Sequence, residues 1–170
     1  MSLKFKIKVP GTSANIGVGY DCLGVALDYY LEIEVTESET IEFVENGKEF
    51  SIPLDENLIF EAANFTQKKL NKTIPNYKVN IIRNDIPISR GLGSSSSAIV
   101  AGIMIVNRFL NNKLDRDSIA KLAVEMEGHP DNVVPAIFGG MVLAAHDKEN
   151  LSYALLPNIE TAQIAYINGN

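Results

Sequence analysis

The chain has 170 residues, of which 46% are hydrophobic and 21% charged, and its formal net charge is −6. This composition is typical of a soluble globular protein and does not fit a disordered, collagen-like or disulfide-stapled chain. The acidic balance argues against a protein that binds nucleic acid, and no apolar stretch is long enough to cross a membrane. Because a single cysteine cannot form an internal disulfide, the composition predicts a cytoplasmic protein.

Hydrophobic residues alternate with polar ones in several short segments, which is the pattern of half-buried strands. Such strands are predicted over residues 5–9, 31–36, 77–82, 140–145, 151–156 and 163–167. Apolar residues at helical spacing predict helices over 57–70 and 94–109, the second apolar on nearly all sides and therefore central. A third predicted helix is capped by Asp115 or Asp117 and ended by Gly128. Strands and helices mix without regular alternation, which predicts a single α+β domain.

A glycine- and serine-rich loop precedes the central helix and is the sharpest local signal in the chain. It contains Gly91 and Gly93, which allow a tight turn close to a ligand, followed by four consecutive serines, Ser94–Ser97. Free N–H groups at a helix start, hydroxyl groups and the helix dipole favour a bound polyphosphate. The alternative is a serine-rich turn that only caps a buried helix, which needs one serine rather than four.

Two other nucleotide-binding motifs are excluded by the residues present. A P-loop needs Lys followed by Ser or Thr after its last glycine, and no such sequence occurs in this chain. The segment from Gly17 to Cys22 is close to the dinucleotide-binding fingerprint, but Cys22 occupies the position of the third glycine.

The segment from Pro87 to Ser95 resembles the phosphate loop of the GHMP kinases, which include galactokinase, mevalonate kinase and homoserine kinase. Residues 9–27 resemble the N-terminal signature of the homoserine kinases, and residues 127–140 resemble their third motif. The three motifs occur in the order of the family and span residues 9 to 140. This combination favours homoserine kinases over the other branches of the superfamily.

The resemblance implies a fold and a domain boundary. The fold is α+β, a mixed sheet packed against helices that is also known from a ribosomal-protein domain. Residues 1–160 are expected to form the ATP-binding N-terminal domain, and residues 161–170 to begin the connection to a C-terminal ferredoxin-like domain. That second domain is expected to be missing, and the turn sequence at residues 168–170 has no strand after it. This piece alone is therefore expected to turn over homoserine poorly.

The resemblance also implies the reaction and its site. The expected reaction is ATP-dependent phosphorylation of L-homoserine with Mg²⁺, by a protein that binds neither nucleic acid nor membrane and forms a homodimer. The residues expected to bind ATP are Asn57, Pro87, Ile88, Ser89, Arg90, Gly91, Leu92, Gly93, Ser94, Ser95, Ser96 and Ser97. Those expected to bind the substrate are Asn15, Asp21 and His129, and those expected to be catalytic are Asn15, Asp131 and Asn132.

Ser95 is the expected hydroxyl ligand of Mg²⁺, with a carboxylate from Glu125 or Glu127. Residues two apart on a helix point about 200° apart, so at most one of these glutamates faces the site. Spacing from the helix narrowly favours Glu125, although Glu127 lies closer to the third motif. A solvated surface position is the alternative for both.

Each of the other site residues also has a plain structural explanation. Asn15 and Asp21 can be turn residues, Asn57 can be a helix cap, and His129 can be structural. A general base is not identified, because Thr12 stands where mevalonate kinases carry a lysine. That difference also counts against mevalonate as the acceptor. The remaining alternatives are another GHMP small-molecule kinase and a non-catalytic RNA-binding domain of the same shape.

Overall fold

A computed structural model describes residues 3–88, 90–147 and 150–157. The strands are β1 (Lys4–Ala14), β2 (Leu23–Glu37), β3 (Glu42–Glu45), β4 (Lys48–Glu49), β5 (Tyr77–Asn84), β6 (Met141–His146) and β7 (Leu151–Leu155). The helices are α1 (Leu58–Leu70), α2 (Ser94–Phe109), α3 (Arg116–Glu127) and α4 (Pro130–Phe138), with a short 3₁₀ helix at Leu54–Glu56. None of the helices in these ranges is both long and apolar enough to cross a bilayer.

The strands form one mixed sheet in the order β4-β3-β5-β2-β6-β7, with β1 paired antiparallel to β2. The 15-residue strand β2 organises the sheet, because its first part pairs with β6 and its last part with β5. Among the described strands, β3 and β5 form the one parallel pair. The α+β architecture with a mixed sheet is therefore confirmed.

One face of the sheet is covered by helices, and the other carries charged side chains. Alternate residues of β1, β2 and β5 are buried, as the period-two pattern predicts. On the opposite face Lys4 pairs with Glu34 at 2.9 Å, and Lys8 pairs with Glu32 at 3.2 Å. The apolar residues of the alternating pattern thus lie on the helix-covered face of the sheet, and the charged residues lie on its polar face.

Helix α2 is the central helix, as its apolar sequence predicts, and ten of its 16 residues are buried. Gly102 lets α1 approach closely, because a Cβ at this position would lie 2.3 Å from the carbonyl oxygen of Ile59. The predicted end of α3 is also confirmed, since Asp115 accepts a hydrogen bond from the Ser118 N–H at 2.8 Å and Gly128 ends the helix at φ 94°. Consequently both ends of α3 are set by local sequence.

Two features differ from the sequence prediction. The short strands β3 and β4 were not predicted, and neither was helix α4, which contains Pro135. Pro130 occupies the first turn of α4, where a proline is tolerated. Pro135 leaves the carbonyl of Asp131 without its usual helical donor, and this carbonyl packs against Gly24, where a Cβ would lie 1.8 Å away.

The predicted strands at 140–145 and 151–156 correspond to β6 and β7. The predicted strand over 163–167 lies outside the described residues, as do the terminal turn, the expected domain boundary at residue 160 and the connection over 161–170.

Candidate active site

The glycine loop turns into α2 through two residues in the left-handed region. Gly91 has φ 70°, and Gly93, the N-cap of α2, has φ 68°. A Cβ at Gly93 would lie 2.1 Å from Oγ1 of Thr12, so a side chain does not fit there. The Thr12 N–H also donates to the carbonyl of Leu92 at 3.0 Å. Strand β1 therefore contacts the loop through Thr12, and this contact leaves room only for glycine at position 93.

The first N–H groups of α2 are available to an anion. No side chain in the described part of the chain caps this helix, and the first helical N–H bond of the turn is that of Ser97 to the carbonyl of Gly93, at 2.9 Å. The N–H groups of the three preceding residues have no acceptor within the helix. Together with the helix dipole they form a site for phosphate oxygens.

The four serines have different environments. Ser95 is exposed and its hydroxyl donates to Oε1 of Glu127 at 2.9 Å, while the buried Ser96 donates to the same oxygen at 3.0 Å. The Ser97 hydroxyl is turned into the protein, within hydrogen-bond distance of the carbonyls of Pro10 (2.9 Å) and Gly93 (2.8 Å). Both the N–H and the hydroxyl of Ser97 thus have partners inside the fold, and ATP binding by Ser97 stays a prediction.

The two glutamates that the sequence left open as metal ligands lie in different surroundings. Glu127 lies beside Ser95, at the C-terminal end of α3, whereas the Glu125 carboxylate forms an ion pair with Lys69 of α1. The two glutamates point to different sides of α3, as a 200° separation requires. Glu127 is thus the glutamate beside the start of α2, and the choice of the metal ligand between Glu125 and Glu127 stays a prediction.

Oxygen donors at this position suit a hard divalent cation such as Mg²⁺. A hydroxyl and a carboxylate are hard ligands, and Mg²⁺ is usually held by one or two carboxylates together with substrate phosphates. The described residues contain no group of three or more acidic, histidine or cysteine side chains that could hold a metal alone. The site at Ser95 and Glu127 therefore suits an ion that arrives with a phosphate ligand.

An apolar cavity of about 300 Å³ lies next to the start of α2. Its polar lining residues are Glu56, Asn57, Asn84, Ser94 and Ser95, and the rest of its lining is apolar, including Leu31, Phe50, Ile52, Ile81, Ile86 and Ile88. A larger cavity of about 690 Å³ lies beside β3 and β4 and is lined by none of the predicted site residues. The smaller cavity is therefore the one that adjoins the phosphate loop, and it includes the predicted ATP-binding residue Ile88.

Asn57 caps α1 at this cavity, and its contact with ATP stays a prediction. Its Oδ1 caps α1 by accepting from the N–H groups of Ile59 (3.1 Å) and Phe60 (3.3 Å). Its Nδ2 is buried and has no hydrogen-bond partner in the described part of the chain. A buried amide donor without a partner is costly, so a ligand acceptor in the cavity would satisfy it.

Other predicted ATP-binding residues lie in the loop before α2. Leu92 is buried beneath it, and Arg90 and Gly91 are exposed at its surface. Pro87 is half-buried at its start, and Ser89 lies outside the described residues.

The loop between β1 and β2 carries Asn15 and Asp21, both exposed and both in the left-handed region, with φ 58° and 55°. The Asp21 N–H donates to Oδ1 of Asn15 at 2.8 Å. This hydrogen bond gives both residues the turn-forming function that was the structural alternative.

A second group of predicted residues lies at the start of α4. Asp131 is buried, with 3% of its surface exposed, and His129 precedes it as the N-cap. Burial raises the pKa of the Asp131 carboxyl above its usual value, the neighbouring His129 opposes this shift, and the negative charge of Asp21 adds to it. His129 and Asp21 therefore both lie within electrostatic reach of Asp131, although Asp21 is far from it in the sequence.

Thr12 was singled out in the sequence only because it replaces a lysine, but the structure gives it a larger part. This buried residue donates from Oγ1 to Oδ1 of Asn132 at 2.9 Å and connects the start of α4 to the glycine loop. A contact across 120 positions has no local sequence signal, which is why the pattern of residues did not reveal it.

Comparison with known proteins places these features in a family. Residues 57–140, which include the glycine loop and α3, match the family profile described as the GHMP kinases N terminal domain. The chain carries a GHMP kinase N-terminal domain. A homoserine kinase of Clostridium novyi is 48% identical over 150 residues, which are 88% of this chain and 50% of that protein.

Solved structures agree with this GHMP kinase fold. A candidate homoserine kinase from Listeria monocytogenes superposes with a TM-score of 0.77 and 34% identity, over 89% of this chain and 53% of that one. The Methanococcus jannaschii mevalonate kinase gives a TM-score of 0.68 and 26% identity, over 92% and 56%. The chain thus spans about half the length of the relatives that it matches.

Proposed function

We propose that the protein is a homoserine kinase, which transfers the γ-phosphoryl group of ATP to the side-chain hydroxyl of L-homoserine. The observation that carries this proposal is the pair formed by Ser95 and Glu127 at the open N-terminus of α2. The resemblance of the sequence to homoserine kinases, at 39% to 48% identity in three relatives, supports the choice of acceptor.

ATP would lie across the start of α2. The apolar cavity beside Asn57 has a buried N–H donor and apolar walls, which suits a nucleobase. The phosphates would then follow the glycine loop to the free N–H groups of α2. The dipole of a helix contributes only about 0.3–1 kcal/mol at an exposed site, so direct N–H contacts must supply most of the phosphate affinity.

Ser95 and Glu127 would hold Mg²⁺. When bound, this ion neutralises charge on the phosphate groups during transfer. Without the ion, the hydroxyl of Ser95 donates a hydrogen bond to the Glu127 carboxylate at 2.9 Å, so the two proposed ligands already lie side by side. The buried Ser96, which donates to the same carboxylate oxygen, orients Glu127.

The acceptor would lie between the β1–β2 loop and the start of α4. The Asp21 carboxylate suits the ammonium group of an amino acid, and His129 and Asn132 lie at the same end of the domain. The hydroxyl oxygen forms the new bond to phosphorus while the bond to the bridging oxygen of ADP breaks. We assign the departing proton to Asp131, whose raised pKa suits a proton acceptor, while Asn15 and Asn132 position the hydroxyl.

The test is release of ADP in the presence of Mg²⁺ and ATP, with homoserine, mevalonate, galactose and shikimate offered separately. The protein should be expressed from its native gene, because this chain spans about half of its relatives. Turnover with homoserine well above the other acceptors is expected. Turnover with mevalonate or galactose would move the assignment to another GHMP kinase, and ADP release at the background rate with all four would refute a kinase of this class.

The location and assembly of the protein stay predictions. The acidic composition with a single cysteine favours the cytoplasm. A homodimer is expected from the resemblance alone, and sedimentation at micromolar concentration would test it.

A further inference from the structure

Thr12 occupies a buried position between the two halves of the proposed site. It lies on β1 directly after an irregularity in the pairing with β2, and none of its surface is exposed. On one side its N–H donates to the carbonyl of Leu92 at 3.0 Å, and its hydroxyl lies against Gly93, where a Cβ would approach Oγ1 to 2.1 Å. On the other side the same hydroxyl donates to Oδ1 of Asn132 at 2.9 Å.

This hydrogen bond determines which way the Asn132 amide is turned. A threonine hydroxyl has one proton, and here that proton is given to Oδ1 of Asn132. The Nδ2 group must then lie on the opposite side of the amide, where it is 3.4 Å from Oδ1 of Asp131. Asn132 therefore presents N–H groups, and not its carbonyl, on the side of Asp131.

We propose that Thr12 is a positioning residue that fixes the amide of Asn132 as a hydrogen-bond donor to the acceptor hydroxyl, and holds it in register with the phosphate loop. The proposal rests on the proposed kinase function. A donor from Asn132 to the hydroxyl oxygen leaves the hydroxyl proton free to point at Asp131, and leaves a lone pair of the oxygen for the phosphorus. The reverse amide orientation would direct the hydroxyl proton to Asn132 instead.

The same residue sets the distance between the two reactants. The loop that would hold the phosphates and the amide that would hold the acceptor are both bonded to Thr12, through its N–H and its hydroxyl. In a transfer that depends on alignment, a misplacement of about 1 Å can cost about 100-fold in rate. A lysine cannot make this pair of contacts in the same way, because its amine would lie beyond the position of Oγ1.

Thr12→Val keeps the shape of the side chain and the N–H bond to Leu92 but removes the hydroxyl. We expect kcat to fall between about 10-fold and 100-fold, with KM for ATP changed less than about twofold. Thr12→Ser restores the hydroxyl and should recover kcat to within about threefold of the original. Equal loss in both variants, or a Thr12→Val enzyme with unchanged kcat, would overturn the proposal.

A double-mutant cycle separates positioning from stability. If Thr12 acts through Asn132, adding Thr12→Val to an Asn132→Ala enzyme should slow it by less than about twofold. Independent, multiplying effects would show that Thr12 acts elsewhere and would contradict the inference. Should Thr12→Val fail to fold, Thr12→Ala serves in the same cycle.

A readout that needs no substrate separates this inference from the kinase assignment. The side-chain amide signal of Asn132 in an NMR spectrum is identified by its loss in Asn132→Ala. We expect this signal to shift in Thr12→Val and to keep its position in Thr12→Ser. An unchanged signal in Thr12→Val refutes the positioning role even in an active kinase, whereas a shifted signal with no turnover on any acceptor refutes the function and keeps the hydrogen-bond geometry.

Discussion

The Ser95 hydroxyl donates to Oε1 of Glu127 at 2.9 Å, and this hydrogen bond joins the N-terminus of α2 to the C-terminus of α3. Neither residue lies in the apolar core, and Ser95 is exposed. A polar pair at the open end of a helix contributes little to the stability of the fold. Its value lies in the oxygen atoms that it places beside the free N–H groups of α2.

Glu127→Gln should remove most of the Mg²⁺-dependent turnover, by about 100-fold or more, because Mg²⁺ loses the charged carboxylate proposed to hold it. Glu125→Gln, two residues away, is the matched control. Its carboxylate pairs with Lys69 at the surface, where an ion pair contributes at most about 1 kcal/mol. Steady-state rates over a range of Mg²⁺ concentrations would compare them. Equal losses in the two variants would contradict the assignment of Glu127.

Ser95→Ala should change the rate of the reaction, whereas Ser97→Ala should change the stability of the fold. Ser95→Ala should lower turnover at limiting Mg²⁺ while the unfolding temperature stays unchanged, because the Ser95 side chain is exposed. Ser97→Ala removes a buried donor from the carbonyls of Pro10 and Gly93, so about 1–3 kcal/mol of stability should be lost. Thermal unfolding and Mg²⁺ titration of the rate provide the two measurements. Unfolding of Ser95→Ala at low temperature would favour a plain helix-capping role for Ser95.

Gly93→Val should abolish nucleotide binding. Its Cβ would lie 2.1 Å from Oγ1 of Thr12, and its backbone has φ 68°, which a β-branched residue rarely adopts. Gly47→Val is the control for the cost of placing valine at a positive φ. Gly47 has φ 77° on the β3–β4 hairpin, and a Cβ there meets nothing within 4 Å. Titration with a fluorescent ATP analogue would follow binding. Retained affinity in a folded Gly93→Val protein would count against the phosphate loop.

The sequence predicted the parts of this domain that depend on local chemistry. Alternation gave strands β1 and β2, and caps gave the limits of α3, where Asp115 and Gly128 both have the expected geometry. Helix α4 was missed because Pro135 normally ends a helix. In the folded chain α4 packs against α3, β1 and β6, and the carbonyl of Asp131, which this proline leaves without its helical donor, lies against Gly24.

The candidate site was predicted as a set of segments and not as a set of contacts. The loop around Gly93 was found from its residues, because tight turns and free helix N–H groups have a local signature. The choice between Glu125 and Glu127 depends on the rotation of α3 about its axis, which is set by packing against α1 and α2. The bond from Thr12 to Asn132 spans 120 positions and has no counterpart in the sequence pattern.

Asn57→Asp should separate the two functions of this residue. An aspartate can still accept from the N–H groups of Ile59 and Phe60, so α1 should keep its cap and the protein its unfolding temperature to within a few degrees. The buried Nδ2 donor is lost, and a negative charge faces the cavity instead. Affinity for ATP should fall by about tenfold or more, the loss expected when a buried hydrogen bond to a ligand is removed. Unchanged ATP affinity, measured by calorimetry, would remove Asn57 from the nucleotide site.

Asp131→Asn should make the protein more stable at neutral pH, while it slows the reaction. Burial raises the pKa of the Asp131 carboxyl in the folded chain, so the folded state holds this proton more tightly than the unfolded state. The unfolded carboxyl has a pKa of about 3.9. Stability is therefore lost as the pH rises from that value through the folded pKa, and the loss is complete above it.

The neutral asparagine has no such dependence and keeps an oxygen that can accept from Nδ2 of Asn132. The difference in unfolding temperature between Asp131→Asn and the original protein should therefore be small near pH 4 and grow in favour of the variant towards pH 7. Scans at several pH values between 4 and 8 would follow it. A variant that is less stable at pH 7 than at pH 4, relative to the original protein, would show that the ionised carboxylate stabilises the fold, contrary to the burial argument.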